Sequence, residues 1–269
     1  MIVLLTDFGL SDPYAGIMKG VIKRISPASE ILDLTHQIPP GNILLARFLL
    51  ERSFSFFQER TIFLAVVDPG VGTARRPLAV RAGGYYFVGP DNGMFQFLED
   101  LPPAPMEAVE LDRPEFHLKQ PPCGTFHGRD IFAPAAAHLD RGIPLSRLGS
   151  PVERMAALPG PAVRKTERGL EIPLIHVDHF GNLIFGLTEK AFEKEVGNGP
   201  FTIHFAGRSI DRISRHYGSD RPLVALFDSY GLIEIAAPSG SAASLLGVTS
   251  PSGEEGEPLL LERHPIRPS

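Results

Sequence analysis

The chain has 269 residues, 43% of them apolar, enough to bury one large core or two modest ones. A formal net charge of -5 without a long run of one sign lacks the electrostatic footprint of a nucleic-acid binder, so no such partner is expected. No apolar stretch approaches the roughly 20 residues of a membrane span, which excludes a helical membrane anchor from the reading. The opening MIVLLTDFG is short, carries no basic flank or small-residue cleavage site, and reads as a buried strand rather than a signal peptide. A single cysteine, Cys123, leaves no intrachain disulfide and fits a reducing cytoplasm.

Taken in chain order, Ile2 to Leu5 is a continuous apolar run, as expected of a strand covered on both faces. The TDFGLSDP loop then leads into a helix from about Tyr14 to Ile25 that ends before Ser26-Pro27. A strand over Ile31 to Leu34 and a helix over Ile43 to Phe54 follow, and Thr61 to Val67 is the strongest strand signal, running into the DPGVG turn. Leu78 to Val80 and Tyr85 to Val88, separated by Gly83-Gly84, read as a hairpin. GPDNG opens a helix at about Met94, and Asp130 to Leu139 predicts another, rich in alanine. Strands alternating with helices predict an α/β domain with a mainly parallel sheet over residues 1–157.

Residues 158–170, rich in Pro, Gly and charge, read as a linker. Beyond it, short strands at Glu171 to Val177, Leu183 to Leu187, Phe201 to Phe205, Leu223 to Asp228 and Leu232 to Ile235 predict a smaller all-β domain, antiparallel and barrel-like, over 171–263. A loosely ordered tail is expected at 264–269.

Polar residues concentrate in loops that follow strong strands, where ligands bind in open α/β sheets. These loops hold Asp7 and Asp12, then Asp68 and Arg75, then His127, Arg129 and Asp130; DHFGN adds Asp178, Phe180 and Asn182 from the second domain. Each also has a structural reading. Asp7 and Asp68 are common turn residues, and Asp130 is best read as the N-cap of its helix. His127 alone is more often a packed side chain than a base, and one of Arg75 and Arg76 is expected to be a solvated charge. No His, Cys or Asp pair falls at an interval that preorganises a metal, and neither GxGxxG nor GxxxxGK[ST] occurs. Neither a metal nor a cofactor is expected.

Together the segments TDFGLSDPYAG, VVDPGVG, GPDNG, TFHGRDIFAP, DHFGN and DSYGLIEIA, with the following GSAA, change the weighting. In this order they resemble the family of S-adenosylmethionine hydrolases (SAM hydroxide adenosyltransferases) that also contains fluorinase and chlorinase. The resemblance runs from Thr6 to Ala243, nearly the whole chain. It implies that Asp68, Arg75 and His127 handle a water molecule, where the halogenating branches carry other residues at Asp68 and His127. A carboxylate there would repel a halide by about 1 to 4 kcal/mol at ~4 Å.

The resemblance further implies that Asp7 binds both ribose hydroxyls, with Phe8 and Gly128 among the substrate contacts. Asp178 and Ser229 would meet the methionine part, Phe180 and Asn182 the adenine, and the backbone near Ser239 would close over the base. Tyr230 stands where fluorinase has an arginine, a departure at the methionine carboxylate. The implied reaction is attack of water on C5′ of S-adenosyl-L-methionine, giving adenosine and methionine, with Asp68 or His127 accepting the proton. The alternatives are halide-dependent adenosyl transfer and a non-catalytic nucleoside-binding module; the second need not keep the water-handling triad. The resemblance also implies a homotrimer, with each site shared between subunits.

Overall fold

The computed structural model of the protein describes residues 1–101, 106–197, 199–248 and 257–264. The chain divides into two compact units, Met1–Pro159 and Gly160–Ser269. No helix among the described residues is long and apolar enough to cross a membrane.

The first unit is built on strands β1 (Ile2–Thr6), β2 (Ile31–Thr35), β3 (Ile62–Val66), β4 (Pro77–Ala82), β5 (Tyr85–Pro90), β6 (Glu107–Glu110) and β7 (Ser150–Pro151). They form one sheet in the order β2-β1-β3-β5-β4-β6-β7. All five residues of β1 and of β3 are buried, which is why both read as unbroken apolar runs. Alternate side chains serve separate cores. Ile2 and Leu4 pack on the side of Met18 and Ile22 from α1 (Tyr14–Ile25), whereas Val3 and Leu5 pack with Ala46 and Leu50 from α2 (Ile43–Ser53).

The expected mainly parallel sheet is instead mixed. β1 pairs with β2 and β3 in parallel and β3 with β5 likewise, but the β5-β4, β4-β6 and β6-β7 ladders are antiparallel. The cause is local. Only Gly83-Gly84 joins β4 to β5, and a two-residue turn cannot carry a parallel crossover.

Two helices also differ from expectation. After GPDNG the chain makes only a 3-10 turn, Gln96–Asp100. The helix expected from Asp130 begins instead as a π turn, Gly128–Phe132, and continues as α3 (Ala133–Asp140). Asp130 is therefore not an N-cap. Its fully buried carboxylate accepts the backbone N–H of Cys123 at 2.8 Å and pairs with Arg129.

The second unit contains two open antiparallel sheets rather than a closed barrel. One, in the order β10-β11-β15-β14, comprises β10 (Leu174–Val177), β11 (Leu183–Thr188), β14 (Val224–Phe227) and β15 (Leu232–Ala236). The other, in the order β13-β12-β16-β9-β8, comprises β8 (Arg164–Thr166), β9 (Gly169–Ile172), β12 (Phe201–Phe205), β13 (Arg208–Ile210) and β16 (Leu259–Arg263). The single strand expected over 171–177 is broken at Pro173, which has no N–H for a ladder, and its halves join different sheets. Part of the expected linker pairs as β8 against β9.

Nor is this unit all-β. It carries α4 (Glu189–Val196), capped by the Thr188 hydroxyl and buried through Phe192 and Val196, and a short α5 (Ala242–Leu246). The tail expected at 264–269 lies, His264 apart, outside the described residues.

Leu183, Phe185, Ile233 and Ile235 of one sheet meet Ile203, Phe205, Leu259 and Leu261 of the other in a shared core. Phe185 sits at its centre, edge-on to Phe205 with ring centroids 5.0 Å apart. Phe185→Ala should cost about 3 to 5 kcal/mol through lost burial and an unfilled cavity. Calorimetry should show a correspondingly lower melting temperature; an unchanged melt would contradict the packing described.

Candidate active site

The strand order β2-β1-β3 places a topological switch between β1 and β3, since α1 and α2 run to opposite faces of the sheet. Ligands of open α/β sheets bind beyond the strand ends at such a point. Thr6 is in register with Val66, so Asp7 and Asp68 emerge side by side from the ends of β1 and β3.

Between and beyond them lies a cleft of about 360 Å³, lined by Asp7, Phe8, Gly41, Asp68, His127 and Gly128 among others. Five residues from three separate sequence motifs, Asp7, Phe8, Asp68, His127 and Gly128, therefore line one cavity. Phe8, Tyr14 and Phe126 form an edge-to-face aromatic group beside it, with centroids 5.4 to 6.0 Å apart.

The DPGVG segment doubles back through the bonds Val71 N–H to Asp68 O and Thr73 N–H to Gly70 O. Gly72, at φ +78°, permits this turn; a Cβ there would stand 2.3 Å from the Gly124 carbonyl oxygen. The reversal lets Arg75 grip Asp68 with two donors, Nε to Oδ1 at 2.9 Å and Nη2 to Oδ2. Arg75 Nη2 also lies 2.9 Å from His127 Nδ1. A guanidinium only donates, so Nδ1 is the acceptor and the proton of the neutral ring sits on Nε2. Burial, with the positive charge of Arg75, holds the His127 pKa below its ordinary value, which keeps the ring neutral. Arg75 Nη1 is buried with no hydrogen-bond partner, and its guanidinium lies 5.3 Å from the Phe132 ring centroid. The neighbouring Arg76 is not a free charge: it pairs with Asp91.

Asp7 accepts the Gly41 N–H at 2.8 Å. Burial raises its carboxyl above the ordinary value and the Asp68 charge adds to this, while the Gly41 bond opposes without cancelling it.

Sequence reasoning missed what holds Asp7 in place. His36, buried, sets Nδ1 at 2.8 Å from Thr6 Oγ1, which accepts the Phe8 N–H, and the His36 carbonyl accepts the Gly9 N–H at 2.7 Å. Behind it, His36 Nε2 lies 3.0 Å from Asp33, itself bonded to Lys19 at 2.6 Å. Partial burial works against ionised Asp33, but the Lys19 and His36 contacts hold its pKa below the usual value. The signal was present as Asp33 and His36, three apart after a strand, in DLTHQI.

In the second unit, Asp178 and Asp228 organise matching loops. Asp178 Oδ1 accepts the N–H groups of Phe180 and Asn182, and Asp228 Oδ1 those of Tyr230 and Leu232. Asn182 Nδ2 is bonded to Asp178 Oδ2, leaving the amide oxygen for another partner, while the Phe180 ring is 75% exposed. Gly181, at φ +82°, packs so closely on Ser241 that a Cβ would lie 2.0 Å from its hydroxyl.

The register of β11 against β15 puts the 178–182 loop and Ser239 at one end of the sheet, and Ser229 with Tyr230 at the other. The structure therefore gathers Phe180, Asn182 and Ser239 but does not bring Asp178 next to Ser229. Between the two ends lies Glu234, 2% exposed and also missed from sequence; burial, with Asp178 and Asp228 adding, pushes its pKa up to about 7 against a bond from Tyr217.

A cleft at a sheet switch point, walled by carboxylates and aromatic rings and containing an arginine-organised Asp-His pair, defines an enzyme-type site for a small polar molecule. Comparison with known proteins narrows this. Residues 2–149 match the SAM hydroxide adenosyltransferase N-terminal domain and residues 173–253 the C-terminal domain of the same name, and the chain belongs to this family. A (R)-S-adenosyl-L-methionine hydrolase from Thermus thermophilus is 39% identical, the match covering 97% of this chain and 98% of that one. A fluorinase from Actinoplanes sp. is 26% identical over 72% of this chain and 74% of its own. A solved structure of a conserved protein from Thermotoga maritima superposes with a TM-score of 0.87 at 36% identity, over 98% of this chain and 100% of that one.

The His36 anchor is testable without a substrate. His36→Ala removes the Thr6 partner, and amide hydrogen exchange at Phe8 and Gly9 should quicken by about tenfold or more as the loop opens locally. Unchanged protection would show that the loop holds itself.

Proposed function

We infer that this chain is an enzyme that hydrolyses S-adenosyl-L-methionine to adenosine and L-methionine. The observation that carries the reading is the convergence of Asp68, Arg75 and His127, distant in sequence: Asp68 and His127 line the cleft that also holds Asp7, and Arg75 bonds to both. Asp7 has two carboxylate oxygens to offer a ribose diol. The exposed Phe180 ring suits stacking on a purine, and the free amide oxygen of Asn182 suits its exocyclic amine.

In the reaction, a water oxygen forms a bond to C5′ as the C5′–S bond breaks. The bonding pair goes to sulfur, which leaves as a neutral thioether, and the water gives up a proton. His127 is a poor acceptor for that proton: Nδ1 is occupied by Arg75 and Nε2 already carries hydrogen. Asp68 accepts it, since each of its oxygens keeps a lone pair beyond the Arg75 contacts. Arg75, through its unpartnered Nη1, and His127, through Nε2–H, donate to the water oxygen and steady its developing charge. The same carboxylate disfavours a halide in the water position, which favours hydrolysis over adenosyl transfer to halide.

A homotrimer is the assembly we propose, on the family resemblance, with each site shared between subunits. The single exposed cysteine is compatible with a reducing cytoplasm. Analytical ultracentrifugation combined with activity measurement should give an active trimer; an active monomer would contradict the assembly.

Turnover in H₂¹⁸O should place the label in the 5′-hydroxyl of adenosine. Unlabelled adenosine would refute attack at C5′. Asp68→Asn should lower kcat by about 10²- to 10⁴-fold with the fold intact, and wild-type turnover would remove Asp68 from the base role. On acidification, protonation of His127 displaces its Nδ1 from Arg75, so kcat should fall as pH drops through the lowered His127 pKa. A kcat flat across that range would show that the neutral ring is not needed.

A further inference from the structure

Along β15, Ile233 and Ile235 face the core shared by the two sheets of the second unit, so Glu234 faces the other way. On that outer face a row runs across the sheet in register, His176 to Ile184 to Glu234 to Leu226. Ala236, Val224 and Leu226 form an apolar patch on the same side. Glu234 is 2% exposed and its Oε1 has no hydrogen-bond partner. Asp228 Oδ2 is likewise buried without one. The Asp178 and Asp228 loops flank the row from opposite ends, and both carboxylates act on Glu234 electrostatically. From the segment that precedes β14, the Tyr217 hydroxyl reaches the Glu234 carboxyl. Among the described residues no lysine or arginine forms an ion pair with Glu234, Asp178 or Asp228.

A buried carboxylate flanked by two others, with an unused acceptor and no lysine or arginine paired to it among the described residues, is costly to ionise and gains most from a positive partner arriving from outside. The chemistry of that cation follows from the surroundings. Asp178 and Asp228 sit at opposite ends of the row and do not converge with Glu234 as metal ligands, and no metal-holding group of three such side chains occurs among the described residues. Ile184, Leu226, Ala236 and the Tyr217 ring offer an apolar flank that a hydrated divalent ion would not use and an alkyl chain would.

We propose that Glu234 is a receptor for the primary ammonium at the amino-acid end of the substrate, between the Asp178 and Asp228 loops. The assignment rests on the reading of the substrate as S-adenosyl-L-methionine. Asp178 spends three acceptor positions on its own loop, whereas Glu234 Oε1 is uncommitted.

The test uses the full chain, wild type and Glu234→Gln, with two kinds of ligand. In steady-state assays Glu234→Gln should raise KM for S-adenosyl-L-methionine by about 10- to 100-fold, the loss expected of a charge-assisted hydrogen bond, with kcat within about threefold of wild type. The sulfonium analogue lacking the α-amino group should show the same KM in both proteins. Calorimetry with L-methionine and with 4-(methylthio)butanoate gives a readout independent of turnover: wild type should prefer the amine by tenfold or more, and the variant should not.

Equal losses on both ligands, or retained preference in the variant, would overturn the assignment. If Glu234→Gln failed to fold, wild type decides alone. Titration with L-methionine near pH 7 should release protons as Glu234 ionises, seen as a heat that varies with the buffer, among neighbours Tyr217, Asp178, Asp228 and His176. No proton release would contradict the proposal. Absence of adenosine release by wild type would instead sink the hydrolase reading, leaving the methionine calorimetry to judge Glu234 separately.

Discussion

The contact between Asp68, Arg75 and His127 is the constraint on which the proposed chemistry depends. One guanidinium nitrogen donates both to a carboxylate and to an imidazole nitrogen, and this fixes the protonation of the ring. A histidine free of that contact would be the natural base near neutral pH; held as it is, it becomes a donor. In the mechanism we propose, the carboxylate, gripped on one side by arginine, accepts the proton. The bidentate geometry also makes the arrangement rigid, and a lysine at Arg75 would not reproduce it.

The fold supplies this contact through two parallel strands and three loops. β1 and β3 end in register, so their carboxylates arrive together at the switch in strand order. The DPGVG turn reverses tightly enough to bring Arg75 back over Asp68, and the 123–130 loop brings His127 to meet it. That last loop is pinned from below by the buried Asp130, which ties Cys123 and Arg129 to the π turn. A second set, buried Thr6 and His36 backed by the more exposed Asp33 and Lys19, fixes the loop of Asp7. Asp7, Asp68 and His127, which face the cleft, thus each lean on polar groups beside them, as a preorganised site requires.

Much of this was legible in the sequence. The apolar runs of β1 and β3 marked buried strands because both faces of the sheet are covered, and the helix over Tyr14–Ile25 was bounded by Ser26-Pro27. The polar loops after those strands were identifiable by position. Hidden were features set by pairing partners rather than by local pattern. The β4–β5 hairpin was legible at Gly83-Gly84, but the antiparallel pairing of β6 and β7 beyond it depends on which neighbour β4 chooses. The break at Pro173 sends a single β-rich run into two sheets, and α4 hides among strands because its apolar stripe is only Phe192 and Val196. Asp130 resembled a helix cap because a π turn has no simple sequence signature. Glu234 was visible as a lone charge in the apolar run LIEIA, but only the sheet geometry shows that it is buried, with no lysine or arginine paired to it among the described residues.

The central claim concerns where one proton sits, and nitrogen NMR reads that directly. In protein labelled with ¹⁵N-histidine at neutral pH, the account predicts a neutral His127 ring with Nδ1 unprotonated and Nε2 protonated. A ring protonated at Nδ1, whether as the other tautomer or as imidazolium, would contradict the arginine contact and return the choice of base to an open question.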